Sequence, residues 1–405
     1  MLIKIAWRNI WRSRTRSLVV IGAIAIGVWA VIFLISFSSG MVTSYINNAI
    51  ENEISHIQIH HPDFKEDEEV KFIIKDSDKL LLDVQNVEGV KAATLRSISN
   101  GMLSTSKGGG RGIRIKAVDP DSEAAVTHLD EKIEEGEYFG GGRSKKILIS
   151  KSLSEKMHAK VRSKLVLTFQ DLNGEITAVG FRVGGIYETG NNTYDLNTVF
   201  VKREDLNPQL GLESLAHEVA IVVDNPQNVE AVQAEIKSLH PNLLTETYKE
   251  LSPEIELFQS QIKLSALIFT IIVMLGLIFG IINTMLMAVL ERIKEFGMLM
   301  AIGMNKMKVF MMIVLETVML GLVAAPVGLG IGWASVIYFS TRGIDLSNYS
   351  RGMREIGFSP IIYPNIESDF YWWLTLAVAI TAIIGSLYPA FKAIKLRPVE
   401  ALRKL

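Results

Sequence analysis

The 405-residue sequence contains no cysteine. That excludes disulfides, thiolate metal sites, cysteine nucleophiles and lipid modification of an N-terminal cysteine. Charge is absent from four stretches. Leu18–Phe37, Leu264–Leu290, Thr317–Thr341 and Phe370–Phe391 hold no Asp, Glu, Lys or Arg. Each is about 20 residues or longer, enough to cross a hydrocarbon core of about 30 Å as a helix, which satisfies its own backbone in lipid. Catalytic signatures are missing too. His217-Glu218 is not followed by the second His that a zinc protease spacing requires. His56, His60 and His61 suggest a metal, but residues 56 and 60 stand about 13 Å apart on an extended strand, so no metal site is expected. Gly108-Gly109-Gly110-Arg111-Gly112 lacks the GK[ST] ending of a phosphate-cradling loop. It reads as a loop, and the chain is not expected to bind ATP itself.

What is present divides unevenly. Hydrophobic residues make up 49% and mean hydropathy is +0.27, too apolar for an ordinary soluble protein and too polar for an all-membrane one. A net charge of -1 conceals three basic clusters: Lys4, Arg8, Arg12, Arg14 and Arg16; Arg292, Lys294, Lys306 and Lys308; and Lys392, Lys395, Arg397, Arg403 and Lys404. The positive-inside rule puts all three in the cytoplasm, which four crossings with both termini inside satisfy. Residues 41–262 are then outside, with 24 basic against 35 acidic residues, an argument against nucleic acid as a partner. The first apolar run exceeds a signal-peptide core, favouring an uncleaved anchor. The fold class is an α-helical membrane domain of four transmembrane helices plus a large α+β periplasmic (outer) domain. The boundaries are a cytoplasmic amphipathic helix at 1–16, crossings at 17–40, 263–290, 309–341 and 370–391, the outer domain at 41–262, a connector at 291–308, a short outer loop at 342–369 and a tail at 392–405.

Within residues 2–16, Ile3, Ile5, Ala6, Trp7, Ile10 and Trp11 share one face and Arg8, Arg12 and Arg16 another, predicting a helix on membrane lipids with Trp at headgroup depth rather than a simple basic flank. Met41–Ile54 reads as a helical extension, His56–His60 as an alternating strand and Asp63–Glu69 as a loop. Ile147–Ile149 reads as a strand and Ser152–Met157 as a helix. Leu165–Phe169 and Ile176–Val183 form a hairpin around Asp171-Leu172-Asn173-Gly174, whose Asn-Gly supplies positive φ angles. Val219–Val223 is a strand. Asn225-Pro226-Gln227-Asn228 opens a helix with Val229, Val232, Ile236 and Leu239 on one face. Residues 61–150 show no stable period. Gly276 and Gly280 form a GxxxG, and Gly328, Gly330 and Gly332 follow Pro326; packing within the chain is favoured over a subunit interface for both sets. Glu316, the one acid inside a crossing, is open to two readings, functional or snorkelling to the interface. The connector Glu291–Lys308 is the main functional candidate. Ile293, Phe296, Met300 and Met304 form an apolar stripe after the charged start Glu291, Arg292, Lys294 and Glu295, suited to a groove on a cytoplasmic partner; the alternative is a turn packed on its own bundle.

Several stretches together resemble the FtsX/MacB-type permeases of ABC transporters, and most closely their lipoprotein-releasing LolC/LolE branch. They are Ala6–Arg12, Ser55–His60, Gly112–Pro120, Val183–Gly190, Asn283–Arg292 running into Glu295-Phe296-Gly297 and Ala301–Met304, and Leu396–Arg403. The resemblance implies a non-catalytic subunit. Two permeases, identical or homologous, pair in the membrane, and an ABC ATPase dimer carrying the ATP and Mg binds their coupling helices. Closure of that dimer drives the periplasmic domains. It implies coupling roles for Glu291, Arg292, Glu295, Phe296, Gly297, Met300, Gly303 and Met304. It also implies a substrate cavity lined by Val28, Trp29, Ile32 and Phe33 on the first crossing and Ile278, Ile282 and Met285 on the second. The cargo would be a lipoprotein or other amphiphile extracted from the inner membrane and passed to a periplasmic carrier. The MacB branch implies instead efflux of peptides or drugs from the periplasm, and the FtsX branch regulation of a cell-wall hydrolase.

Overall fold

The computed structural model describes residues 2–105, 109–140, 144–211, 214, 216–349, 352–353 and 358–395, with backbone only for 2–4. In chain order the helices and strands of the N-terminal half are α1 (Leu2–Arg12), α2 (Arg14–Ala49), a π-helical turn (Ile50–Ile54), β1 (Ile57–His60), α3 (Phe64–Asp67), α4 (Ser77–Gln85), β2 (Val90–Thr105), β3 (Gly110–Val118), α5 (Pro120–Thr127), β4 (Ile133–Gly136), β5 (Lys146–Ser150), α6 (Lys151–Met157), β6 (Lys164–Gln170) and β7 (Ile176–Tyr187). There follow α7 (Asn192–Asn197), β8 (Thr198–Lys202), α8 (Arg203–Leu210), β9 (Glu218–Val223), α9 (Val229–Leu239), β10 (Leu244–Thr247), α10 (Tyr248–Leu251), α11 (Pro253–Glu291), α12 (Ile293–Ala301), α13 (Lys306–Arg342), β11 (Ile344–Asp345), β12 (Ile361–Ile362) and α14 (Ser368–Ile394). They form two units: Met1–Val42 with Gln259–Asp345 and Ile361–Leu405, and Thr43–Phe258 with Leu346–Pro360.

The first unit is helical. α2, α11, α13 and α14 carry the four apolar runs and are long and apolar enough to cross a membrane. Small residues set their spacing. A Cβ on Gly328 would lie 2.8 Å from the Ala25 carbonyl oxygen, and one on Gly332 would lie 2.6 Å from Ile32, so only glycine lets α13 approach α2 this closely. A Cβ on Gly385 of α14 would meet Ile281 of α11 at 2.9 Å. Gly276 and Gly280 behave differently. A Cβ on either would meet nothing within 4 Å beyond its own helix backbone among the described residues, so this GxxxG does not pack within the chain as expected, and neither does Gly330. α1 packs on α13 through buried Ala6 and Ile10, while Trp7 and Trp11 stay exposed, edge to face at 6.0 Å. The single helix expected over 2–16 instead breaks at Ser13, and the Ser17 hydroxyl donates to the Ile10 carbonyl.

The second unit is α+β with ten strands in one network, in the order β10-β1-β9-β2-β3-β8-β5-β7-β4, with β6 bridging β2 and β7. Two bodies emerge. β10-β1-β9-β2, all antiparallel, with α4 after β1 and α9 after β9, is a split β-α-β sheet. Inserted between its β2 and β9 is a closed ring, β2-β3-β8-β5-β7-β6. Leu103, Ile115, Ile149, Leu165, Phe181 and Val199 fill its core, each contributing about 1.5–3 kcal/mol by leaving water. Closure removes the exposed strand edges that would invite aggregation.

The aperiodic 61–150 region supplies α3, α4, β2, β3, α5, β4 and β5. It lacks a period in sequence because the middle of β2, the end of β3 and nearly all of β5 are covered on both faces. β1 shows the same effect: it alternates in sequence yet is buried at all four positions. Three local expectations are corrected. Gly110, Arg111 and Gly112 are not loop but the start of β3, paired with Ser104, Leu103 and Met102. Asn173 does not have positive φ; only Gly174 does (+81°), because Asp171 Oδ1 accepts from the Asn173 and Glu175 amides and closes the turn. Leu239 is 53% exposed rather than on the buried face of α9, where Gln233 takes its place. The Asp63–Glu69 stretch contains the one-turn α3, anchored by buried Phe64. The Leu396–Arg403 stretch lies outside the described residues, as does Gly108.

Candidate functional site

The connector between α11 and α13 is built by two stop signals. Gly303, at φ +101°, ends α12: its amide donates to the Met300 carbonyl and the Met304 amide to that of Leu299, the paired bonds of a glycine-terminated helix. Asn305 then caps α13 by accepting from the Met307 amide at 3.1 Å. The result is a short helix held between two long ones.

Its charged start is not free. Arg292 Nε donates to Glu295 at 3.0 Å, and its Nη1 lies 3.4 Å from both oxygens of Glu316; the guanidinium also covers the Phe296 ring at 5.3 Å. Arg12 pairs with Glu295 at 2.8 Å, and Arg16 pairs with Glu291. Partial burial pushes the Glu295 carboxyl upward, but Arg292 and Arg12 outweigh it and hold it below the usual range. Three arginines and three glutamates thus tie α1, the start of α2, α12 and α13 around a polar cavity of about 250 Å³. Sequence reasoning missed Arg12 and Arg16, which carry no local signal linking them to residues nearly 300 positions away.

The apolar stripe faces inward. Phe296 and Gly297 are buried, and Met300 and Met304 pack against the bundle core. The expectation that Phe296, Met300 and Met304 present a docking stripe is therefore corrected: burying the Phe296 ring in its own bundle removes more apolar area from water than leaving it exposed. The exposed side carries Met298 (55%), Ile302 (80%) and Met307 (60%), beside exposed Lys294, Lys306 and Lys308. Gly303 is exposed, with a backbone role.

The seven residues implied to line a substrate cavity differ in their placement. Val28, Ile32 and Met285 are buried in the helix core; Val28 and Ile32 pack directly against Gly328 and Gly332, while Met285 borders the polar cavity beside Arg292 and Glu316. Trp29 Nε1 donates to the Ser335 hydroxyl at 3.3 Å, and Phe33 stacks between Trp29 (5.9 Å) and Phe339 (6.0 Å). Ile278 and Ile282 are half-buried. The α2 set meets α13. The broad exposed face of α11 is made by other residues, Leu264, Ile268, Ile271, Leu275 and Phe279.

Residues 267–398 match the FtsX-like permease C-terminal family, and residues 17–239, more than half of the chain, match the MacB-like periplasmic core domain. The chain belongs to the FtsX/MacB-type permeases of ABC transporters. It is 24% identical to the lipoprotein-releasing system transmembrane protein LolC of Neisseria meningitidis, over 96% of this chain and 94% of that one. It is also 24% identical to the pyoverdine export ATP-binding/permease protein PvdT of Pseudomonas savastanoi, over 99% of this chain but 59% of that one. The crystal structure of the periplasmic region of MacB from Actinobacillus actinomycetemcomitans covers 52% of this permease at 11% identity and a TM-score of 0.35. By its match to the MacB-like periplasmic core domain, the sheet-bearing unit is the periplasmic domain of a multi-pass membrane permease.

Proposed function

We propose that this permease works with a separate ABC ATPase dimer, which holds the ATP and Mg and docks on Met298, Ile302 and Met307 of the connector. The permease binds no cofactor of its own. The observation that carries this reading is a connector pinned on one side by Arg292, Glu295 and Phe296 and bare and apolar on the other, a rigid knob for a partner's groove. ATP-driven closure then favours one arrangement of the crossings over another, because the docked surface is gripped differently in each. The connector and both termini face the cytoplasm of a bacterial inner membrane, where the basic clusters belong.

For the cargo, the full-length likeness to LolC favours lipoproteins, extracted by a pair of permeases, identical or homologous, and handed to a periplasmic carrier. The likeness to PvdT keeps efflux of a small amphiphile as the second reading, with hydrolase regulation of the FtsX kind third. Tagged purification in mild detergent, with mass spectrometry of what copurifies, tests the set. An ATPase with triacylated lipoproteins is the expected result. An ATPase with an outer-membrane duct adaptor or a cell-wall hydrolase moves the assignment to another branch, and no ATPase contradicts the transporter reading.

A further inference from the structure

The first crossing helix ends in an uncommon way. After Ala49 it continues as the π-helical turn Ile50–Ile54, closed by the Ser55 amide donating to the Ile50 carbonyl at 2.9 Å. A helix C-terminus leaves carbonyls unpaired and carries partial negative charge, so it is stabilised by cations. Three cations of the periplasmic domain meet this one. Lys132 Nζ donates to Asn52 Oδ1 at 2.7 Å and lies 3.4 Å from the Glu51 carbonyl, while also bonding the Thr127 carbonyl at 2.6 Å. Lys116 Nζ on β3 donates to the Glu53 carbonyl at 3.2 Å and sits 5.1 Å over the Tyr194 ring. Arg96 Nη1 on β2 reaches the same carbonyl at 3.5 Å, while its nitrogens hold Glu123 (2.8 and 2.9 Å) and Glu218 (2.7 Å).

The place matters as much as the contacts. Arg96 is the residue at which β2 passes between the two bodies, opposite Glu218 of the split sheet and Val118 of the ring. Both Arg96 and Lys116 are almost fully buried. Burying a lysine to reach a backbone carbonyl is costly, and burial together with Arg96 pushes its ammonium down to about 8. A solvent-exposed cap would have satisfied the same carbonyl.

We infer that Arg96, Lys116 and Lys132 form a cation socket that positions the end of the first crossing helix at the junction of the two sheet bodies, so that displacement of this helix moves the ring. This rests on the permease reading and adds to it the residues that carry motion outward.

Arg96 variants strand two buried carboxylates and are unsuited to the test. Lys132→Met and Lys116→Met remove the charge and keep the chain length; Lys132→Arg restores a donor. The full permease, copurified with its ATPase and placed in lipid nanodiscs, is compared with and without ATP plus vanadate by hydrogen exchange of β2 and β3 peptides. The wild type and Lys132→Arg are expected to show a nucleotide-dependent change in exchange. Both Met variants are expected to lose it roughly tenfold, the effect of one charged hydrogen bond, with unchanged unfolding temperature and unchanged stimulation of the ATPase. A full exchange response in both Met variants overturns the socket. Absence of any response in the wild type overturns the permease reading beneath it.

Discussion

Arg292 Nη1 lies 3.4 Å from both carboxylate oxygens of Glu316, joining the start of the connector to the buried side of α13. Glu316, the one acid within a crossing, is 8% exposed and is neither snorkelling alone nor isolated. Its charge is held by the same arginine that bonds Glu295.

Removing that arginine leaves the carboxylate uncompensated. Arg292→Met is expected to destabilise the permease by about 3 kcal/mol, the usual cost of breaking one side of a buried pair. Adding Glu316→Gln should restore most of the loss. Thermal unfolding of the single and double variants in nanodiscs measures both; equal losses in the two would contradict the pairing.

The two faces of the connector should respond differently to the same change. Phe296→Asp buries an unpaired charge and is expected to reduce the yield of folded protein. Ile302→Asp lies on the exposed side and should leave yield intact, while ATPase stimulation falls tenfold or more. Expression and ATPase assays run on both variants separate the outcomes.

How far the sequence led differs by residue for physical reasons. The crossings were legible because an uncharged apolar run of about 20 residues matches the thickness of a bilayer core and is rarely tolerated in a water-soluble fold. The helix Ser152–Met157 and the strand Val219–Val223 were legible from local pattern. The connector was legible, but not which side it shows: Phe296 and Ile302 are both apolar and six residues apart, and only packing decides which is covered. Val28 and Ile32 looked like cavity lining because apolar side chains facing lipid, cargo or a neighbouring helix are identical in sequence; Gly328 and Gly332, about 300 residues away, settle it. The ring of strands was illegible because its closure rests on β6 reaching both β2 and β7, a non-local pairing.

The periplasmic domain should weaken in mild acid through His217. Its Nδ1 accepts from the Ile98 amide at 2.9 Å, so Nε2 donates to the Val70 carbonyl at 3.0 Å, and the neutral ring is fully used. Burial pushes it down to about 4 from an ordinary 6.5, against the opposing pull of the Val70 bond. A lowered folded value means the contribution is complete above about pH 6.5 and is lost as pH falls toward about 4, at most about 3 kcal/mol. Exchange of the Ile98 amide should accelerate across that window. His217→Gln should remove this pH dependence.

Ser55 is buried with φ +55° and ψ −171°, a conformation that costs a non-glycine residue about 1–3 kcal/mol. Ser55→Gly is expected to raise domain stability by about 1 kcal/mol, measured by hydrogen exchange of β1. No gain would mean the turn is not strained at this residue.

The absence of cysteine makes the central claim directly testable, since one engineered thiol is unique. Ile302→Cys, carrying a short photoactivatable cross-linker, is irradiated in native membranes and the product identified by mass spectrometry. The expected product is an ABC ATPase joined at residue 302, with the yield changed by ATP plus vanadate. A product containing no ATP-binding protein, from membranes in which the permease is intact, would contradict it.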